Sequence, residues 1–191
     1  MTAFSTRCCR SLSCLAALVV LGLGAVAAAH ADGIEVRKAA LISAEDGYVL
    51  EADFEISLTH TLEDALNKGV PLYFTLEFEL VRPRWYWRNE KLSDVRHDYR
   101  LSYNALTRQY RVGFRTLYRN FASLGEALAF LSRVRVRAIA ESGALNKGNS
   151  YRAALRLRLD SSQLPRPFQV SAVGSREWSM SSDWHRWTVS P

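Results

Sequence analysis

The feature that most constrains this chain is an alternation of apolar and polar residues with period two, repeated in one segment after another. Over residues 48–58, YVLEADFEISL, Tyr48, Leu50, Ala52, Phe54, Ile56 and Leu58 fall on one side and Glu51, Asp53, Glu55 and Ser57 on the other. Residues 70–80, VPLYFTLEFEL, repeat the scheme with Leu72, Phe74, Leu76, Phe78 and Leu80 against Glu77 and Glu79. Val95, His97, Tyr99, Leu101 and Tyr103 alternate likewise, and Tyr110, Val112 and Phe114 follow a turn at Asn104-Ala105-Leu106-Thr107. RVRVRA at 133–138 and YRAALRLRLD at 151–160 extend the series. Successive side chains of a strand point to opposite faces, so each segment predicts an antiparallel strand with one face in a core and one in water.

Two segments read as helices. Thr61–Lys68 opens on a Thr-x-x-Asp cap and stops at Gly69, while Ser123–Ser132 opens on Ser-x-x-Glu, a capping box ahead of Ala127, Leu128, Phe130 and Leu131. Eight or nine short strands with two short connecting helices predict an all-β fold: a mainly antiparallel β-sandwich, immunoglobulin-like in general architecture, in one domain over 32–191.

Residues 1–31 read as a signal peptide. Arg7 and Arg10 supply the positive start, LSCLAALVVLGLGAVAAA the apolar middle, and Ala29-His30-Ala31 a small-x-small cleavage site. The competing reading is a retained membrane anchor, since the apolar run approaches the ~18 to 20 residues that span a bilayer. Cys8, Cys9 and Cys14 all lie in this leader, so disulfides and thiol catalysis are excluded for the chain after it. An exported, periplasmic domain without disulfides must be held by its core, and a domain of this length buries roughly 68 to 70% of its unfolded surface. The leader removes two arginines and no acids, which lowers the formal charge from +6 to +4. That balance is too mild to imply a nucleic-acid partner, and an exported protein seldom meets one.

Three stretches, RPRWYWRNE at 82–90, YRLSYNALTRQYRV at 99–112 and SSDWHRWTVS at 181–190, resemble a family of exported proteobacterial proteins described as domain of unknown function 4390. The resemblance spans essentially the whole chain after the leader. Relatives are often encoded beside a membrane sensor kinase, so the resemblance implies an envelope-signalling context, and it carries no catalytic or binding residue onto this sequence.

Catalytic chemistry has little foothold. His60, His97 and His185 are far apart and in no metal-ligand spacing, so neither a metal nor another cofactor is expected. His97 falls on the apolar side of its strand, as a partly buried histidine. Ser179 to His185, SMSSDWH, crowds serine, aspartate and histidine together, and a hydrolase would have to use it; triad partners, however, usually meet through the fold rather than as sequence neighbours. The carboxylates at 51–55 and 77–79 sit on strand exteriors, where water solvates them.

Arginine carries the strongest charge signal. With the loop at 143–149 between them, RVRVR and YRAALRLR are expected to form a hairpin, setting Arg133, Arg135 and Arg137 beside Arg152, Arg156 and Arg158. Six like charges on one ribbon repel, so something must offset them. One answer is internal: the acids of 51–55 and 77–79 stand on neighbouring strands and make a cross-strand ladder. The other is a basic surface for an anionic partner, such as an envelope protein like a sensor kinase, a lipid headgroup or a glycan.

The same question arises at VRPRWYWRNE, residues 81–90. If the parity of 72–80 continued, Arg82, Arg84 and Arg88 would enter the core and Trp85 and Trp87 would face water. Pro83 is expected to mark a one-residue bulge that flips the later side chains and turns Trp85 and Trp87 inward as a cap on the core. The alternative is an exposed aromatic platform for a sugar or lipid. The function that follows is that of an exported, non-catalytic interaction module, with a structural envelope role on anionic lipid or glycan as the alternative. The candidate binding surface comprises Arg133, Arg135, Arg137, Arg152, Arg156, Arg158, Trp85 and Trp87.

Overall fold

The computed structural model of the chain describes residues 33–84, 90–141, 143–172 and 175–191. The expected leader, Trp85, Trp87 and Arg88 lie outside the described residues. The order of elements is β1 (Gly33–Ala44), β2 (Gly47–Ser57), α1 (His60–Asn67), β3 (Leu72–Arg82), β4 (Glu90–Asn104), β5 (Gln109–Phe114), β6 (Leu117–Phe121), α2 (Leu124–Leu131), β7 (Arg133–Ala140), β8 (Tyr151–Leu159), α3 (Arg166–Ala172) and β9 (His185–Val189). All strand pairs are antiparallel. They form two sheets of unequal width, three strands in the order β1-β2-β7 and six in the order β6-β5-β4-β3-β8-β9.

Connection length varies even within a sheet: β8 and β9 are neighbours in the wide sheet yet are joined by residues 160–184. Two of the within-sheet turns are tight: Glu45-Asp46 before Gly47 (φ 120°) joins β1 to β2, and Asn104 Oδ1 accepts from Leu106 N–H and Thr107 N–H in the turn to β5. Between sheets the chain needs a longer path. The β2-to-β3 crossing uses α1, the β6-to-β7 crossing uses α2, and the β7-to-β8 crossing uses residues 141–150.

The predicted apolar faces meet in one core. Leu50, Ala52, Phe54 and Ile56 of β2 and Val134 and Val136 of β7 belong to the same cluster as Leu72, Phe74, Leu76, Phe78 and Leu80 of β3 and Leu155 and Leu157 of β8. At about 1.5–3 kcal/mol for each large side chain fully buried, this shared layer is the main force holding the sheets together. The all-β, sandwich-like expectation therefore holds; the strand order is this chain's own.

Several local expectations are corrected. The first helix starts one residue earlier, capped by Thr59, whose Oγ1 accepts from Leu62 N–H at 3.3 Å. Thr61 is engaged elsewhere: its hydroxyl donates to Glu177 Oε2 at 2.8 Å. The second helix is capped as predicted, with Ser123 Oγ accepting from Glu126 N–H. A third helix, α3, was not anticipated and lies just after Pro165.

The bulge is also displaced. Leu80 pairs with Ser93 and Val81 with Lys91, so the extra residue is Leu92 on β4 rather than one at Pro83, and β3 ends at Arg82. Arg82, ahead of the proline, keeps its parity and is neutralised: Arg82 and Arg84 both donate to Glu90 Oε2, Arg84 at 2.6 Å.

Candidate functional site

The expected arginine hairpin does not form, because β7 and β8 stand in different sheets. Ten residues link them, more than the two to five that close a hairpin, and Leu145 in that link is buried in the core while Tyr151 Oη accepts from Asn146 N–H. The separation also relieves the repulsion, since each arginine row now lies beside a carboxylate row. On the small sheet, Glu51 and Asp53 of β2 stand opposite Arg135 and Arg133, and Arg135 Nε is 3.1 Å from Glu51 Oε1. On the large sheet, Arg156 and Arg158 converge on Glu77.

Glu77 is not solvated as its outward parity implied; it is only 5% exposed. Arg156 Nη2 is 2.6 Å from Glu77 Oε2, Arg158 Nε donates to Oε1 at 3.2 Å, and Arg96 Nη2 approaches Oε1 at 3.9 Å. Burial alone would raise the Glu77 carboxyl, but the hydrogen bonds and charges of Arg156 and Arg158 together hold it below the ordinary carboxylate range. Trp184 covers this cluster, its indole ring 4.5 Å from the Arg156 guanidinium. Arg152, at the far end of β8, is exposed.

The serine-rich segment is bonded to β8. Ser182 N–H donates to Leu157 O, Ser182 Oγ accepts from Leu157 N–H, and Leu159 N–H donates to Met180 O. Ser181 Oγ donates to the Ser182 carbonyl, Asp183 is exposed, and His185 packs 5.5 Å from the Trp187 ring. No hydrogen bond among the described residues links Asp183, His185 and a serine.

A cleft opens where the narrow sheet stops short of the wide one. β7 is an edge strand, so the inner face of β4 and β5 continues past it. The cleft, about 410 Å³, has His97, Tyr99, Phe114, Phe130 and Val136 as its apolar lining and Arg115, Arg133, Arg135 and Arg137 around it. Tyr99 stacks on Phe114 at 5.0 Å, and His97 lies 5.1 Å from the same ring. It adjoins a wider, shallower cleft of about 590 Å³, which shares Phe130 and Arg133 and adds Arg119 and Phe121. The Arg119 guanidinium stands 5.2 Å from the Phe130 ring and 5.6 Å from that of Phe121.

The electrostatics of this cleft are one-sided. No carboxylate lines its deeper part, and among the described residues Arg115, Arg133 and Arg137 have no acid within ion-pair reach. Glu126, in the shallower part, is tied to the start of α2 by accepting from Ala122 N–H. Burial lowers the His97 pKa and the Arg115 charge lowers it further, against an opposing pull from Asp98, so the imidazole is neutral at pH 7. Burial pushes Tyr99 up to about 12. No group of three His, Cys, Asp or Glu able to hold a metal occurs among the described residues.

Of the eight predicted surface residues, the structure gathers Arg133, Arg135 and Arg137 at the cleft, places Arg152, Arg156 and Arg158 on the other sheet, and does not describe Trp85 and Trp87. Sequence reasoning missed Phe114, Arg115, Arg119 and Phe121. Their signal is the run FRTLYRNF at 114–121, which interleaves arginine and aromatics across the β5–β6 turn. A smaller aromatic feature lies on the outer face of the wide sheet, where Tyr73, Arg100, Gly113 and Tyr118 stand in one row across four strands. A Cβ on Gly113 would lie 2.8 Å from the Tyr118 ring, so glycine is what lets that exposed ring lie against the sheet.

The profile of one protein family, described as Domain of unknown function (DUF4390), matches residues 31–188. Neither the curated proteins nor the solved structures gave a match.

Proposed function

The chain belongs to the DUF4390 family, and we propose that it acts as an exported, periplasmic, non-catalytic binding module whose basic cleft receives an anionic partner. The observation that carries this reading is the cleft itself: four arginines around an aromatic floor with no carboxylate in its deeper lining. Arg156 and Arg158 are ion-paired with Glu77; among the described residues Arg115, Arg133 and Arg137 form no ion pair, although Asp53 stands opposite Arg133 in the strand register. Clustered unpaired cations over an apolar surface attract an amphipathic anion, with charge steering the approach and aromatic contact supplying affinity. The leader pattern supports export, and an acidic segment of an envelope protein such as a sensor kinase meets the chemical requirement.

The test pairs function with folding. Arg133→Gln with Arg137→Gln should leave the melting temperature unchanged while abolishing salt-sensitive retention on immobilised polyglutamate. Undiminished retention would remove the cleft from the account. Export is checked by fusing the first 40 residues to a reporter that matures only outside the cytoplasm; an inactive reporter would overturn the compartment.

A second reading, a structural component that binds glycan, is favoured by Tyr118, which is 58% exposed and lies against Gly113 beside Arg100. A flat exposed ring flanked by cations suits an acidic sugar. Tyr118→Ala should then lower retention on an acidic polysaccharide, and unchanged retention would leave the cleft as the sole candidate.

A further inference from the structure

We propose that the occupant of the cleft is an extended segment of another protein, alternating acidic and apolar residues, which adds to the free edge of β7 as a fourth strand of the small sheet. This rests on the reading of the cleft as a site for an anionic partner and specifies what that partner is.

The first support is the edge. Among the described residues the only strand that pairs with β7 is β2, so residues 133–137 present one row of backbone groups away from the sheet. Their limit is set locally. Ala138 takes a positive φ of 56°, the register with β2 slips between Tyr48 and Leu50, and Ile139 O accepts from Ser93 Oγ of β4 at 2.7 Å. Five residues of edge remain, the length of a short strand.

The second support is periodicity. Arg133, Arg135 and Arg137 occupy alternate positions, about 7 Å apart along the strand. A neighbouring strand repeats its side chains at the same interval, so three acids at alternate positions would match the three arginines. A lipid headgroup is a single charged point and has no reason to match a row. The intervening residues of such a strand would point into the cleft, toward Tyr99, Phe114 and Phe130.

The third support is that β7 already accepts a strand of this kind on its other side. β2 sets Glu51 and Asp53 opposite Arg135 and Arg133 while Leu50 and Ala52 enter the core. An arginine carries five N–H donors, so Arg135 can hold Glu51 and a second carboxylate together. A second copy of the chain fits poorly. Its edge strands β6 and β9 carry Arg119 and Arg186, which would set cation against cation, and on β1 the one acid, Glu35, is already tied to Arg37. Strand addition of this type draws affinity from main-chain hydrogen bonds and specificity from alternate side chains.

The experiment uses the purified protein and blocked synthetic peptides, with binding followed by fluorescence anisotropy at low salt. The heptapeptide EVEFEVE should bind at least tenfold more tightly than QVQFQVQ. It should lose at least tenfold when alternate backbone nitrogens are methylated, a change that keeps every charge but blocks one hydrogen-bonding edge. Arg133→Gln with Arg137→Gln should weaken it about tenfold. Equal binding of the methylated peptide, or of the shuffled EEVFVEE, would overturn strand addition while leaving an anionic partner in place. Retention of the protein by phosphatidylglycerol vesicles without peptide binding would do the same. Binding of neither peptide nor vesicle nor polyglutamate would overturn both this inference and the reading on which it rests.

Discussion

The two arginine rows begin from nearly the same sequence and end in opposite physical states. RVRVR on β7 leaves its cations exposed, with Arg135 and Glu51 meeting at 3.1 Å through side chains that are 65% and 41% exposed. RLR on β8 drives two arginines onto Glu77, whose side chain is 6% exposed while theirs are about 30% exposed. The difference lies in what covers them. The β8 row sits mid-sheet between β3 and β9, with Trp184 laid over Arg156, whereas β7 is an edge with an open cleft beside it. One row is part of the scaffold and the other is free to meet a partner.

The strongest way to break this comparison is to remove both arginines that face Glu77. Arg156→Gln with Arg158→Gln strands a buried carboxylate, a defect that costs ~3–5 kcal/mol where burial is complete. The arginines are partly exposed, so the lower end applies. At roughly 2–4 °C per kcal/mol for a domain of this size, the melting temperature should fall by about 6–12 °C. A fall of under 2 °C would place this cluster in the same class as the β7 row.

The same pair of substitutions should reverse the acid response. In the wild type the folded Glu77 carboxyl titrates below its unfolded value of about 4.3, so the unfolded state takes up the proton first. The stabilisation is complete above that value and is lost as pH falls through the folded pKa. Without Arg156 and Arg158 only the largely exposed Arg96, at 3.9 Å, is left beside Glu77, and burial, the largest influence on the carboxyl, raises it. The folded state then takes up the proton first, so the stability deficit of the double variant relative to the wild type should shrink as pH is lowered from 7 toward 5, the His97 contribution being common to both. Melting curves across pH 7 to 3 check the sign.

Trp184→Ala comes next. It removes the ring over Arg156 and the cover over the Glu77 cluster, with a cation–π contribution of ~0.5–2 kcal/mol. Urea unfolding should show a loss of about 1–2 kcal/mol, partly restored in Trp184→Phe. No loss would mean that Trp184 rests on the sheet without holding it.

What could be read from the sequence divides along the same line. Alternation specifies which face a residue occupies, so the inward sets of β2, β3 and β8 were legible residue by residue. It does not specify which strand lies alongside, and that is why Arg135 and Arg156 were expected side by side. Partner choice is held by two segments jointly: Glu51 stands opposite Arg135 and Glu77 opposite Arg156, and neither segment alone records the match. The cap at Ser123 was legible because its partner, Glu126, is three residues away; Thr61 misled because its hydroxyl is taken by Glu177, 116 residues away. The cleft was invisible for a further reason. It exists because one sheet has three strands and the other six, and no single segment records that count.

Arg135→Gln is the smallest change and sharpens the comparison most. An exposed ion pair contributes ~0.2–1 kcal/mol, because water screens the attraction and both side chains lose freedom to make it. The variant's melting temperature should therefore shift by no more than about 3 °C at low salt. Salt then separates the rows: screening lengths near 8 Å at physiological ionic strength weaken exposed pairs far more than covered ones. The Arg135→Gln deficit should vanish as salt is raised, while the deficit of the Arg156→Gln, Arg158→Gln pair should persist. A salt-resistant deficit at Arg135 would mean that the β7 row is itself structural, and the cleft would lose the exposed cations that its proposed partner requires.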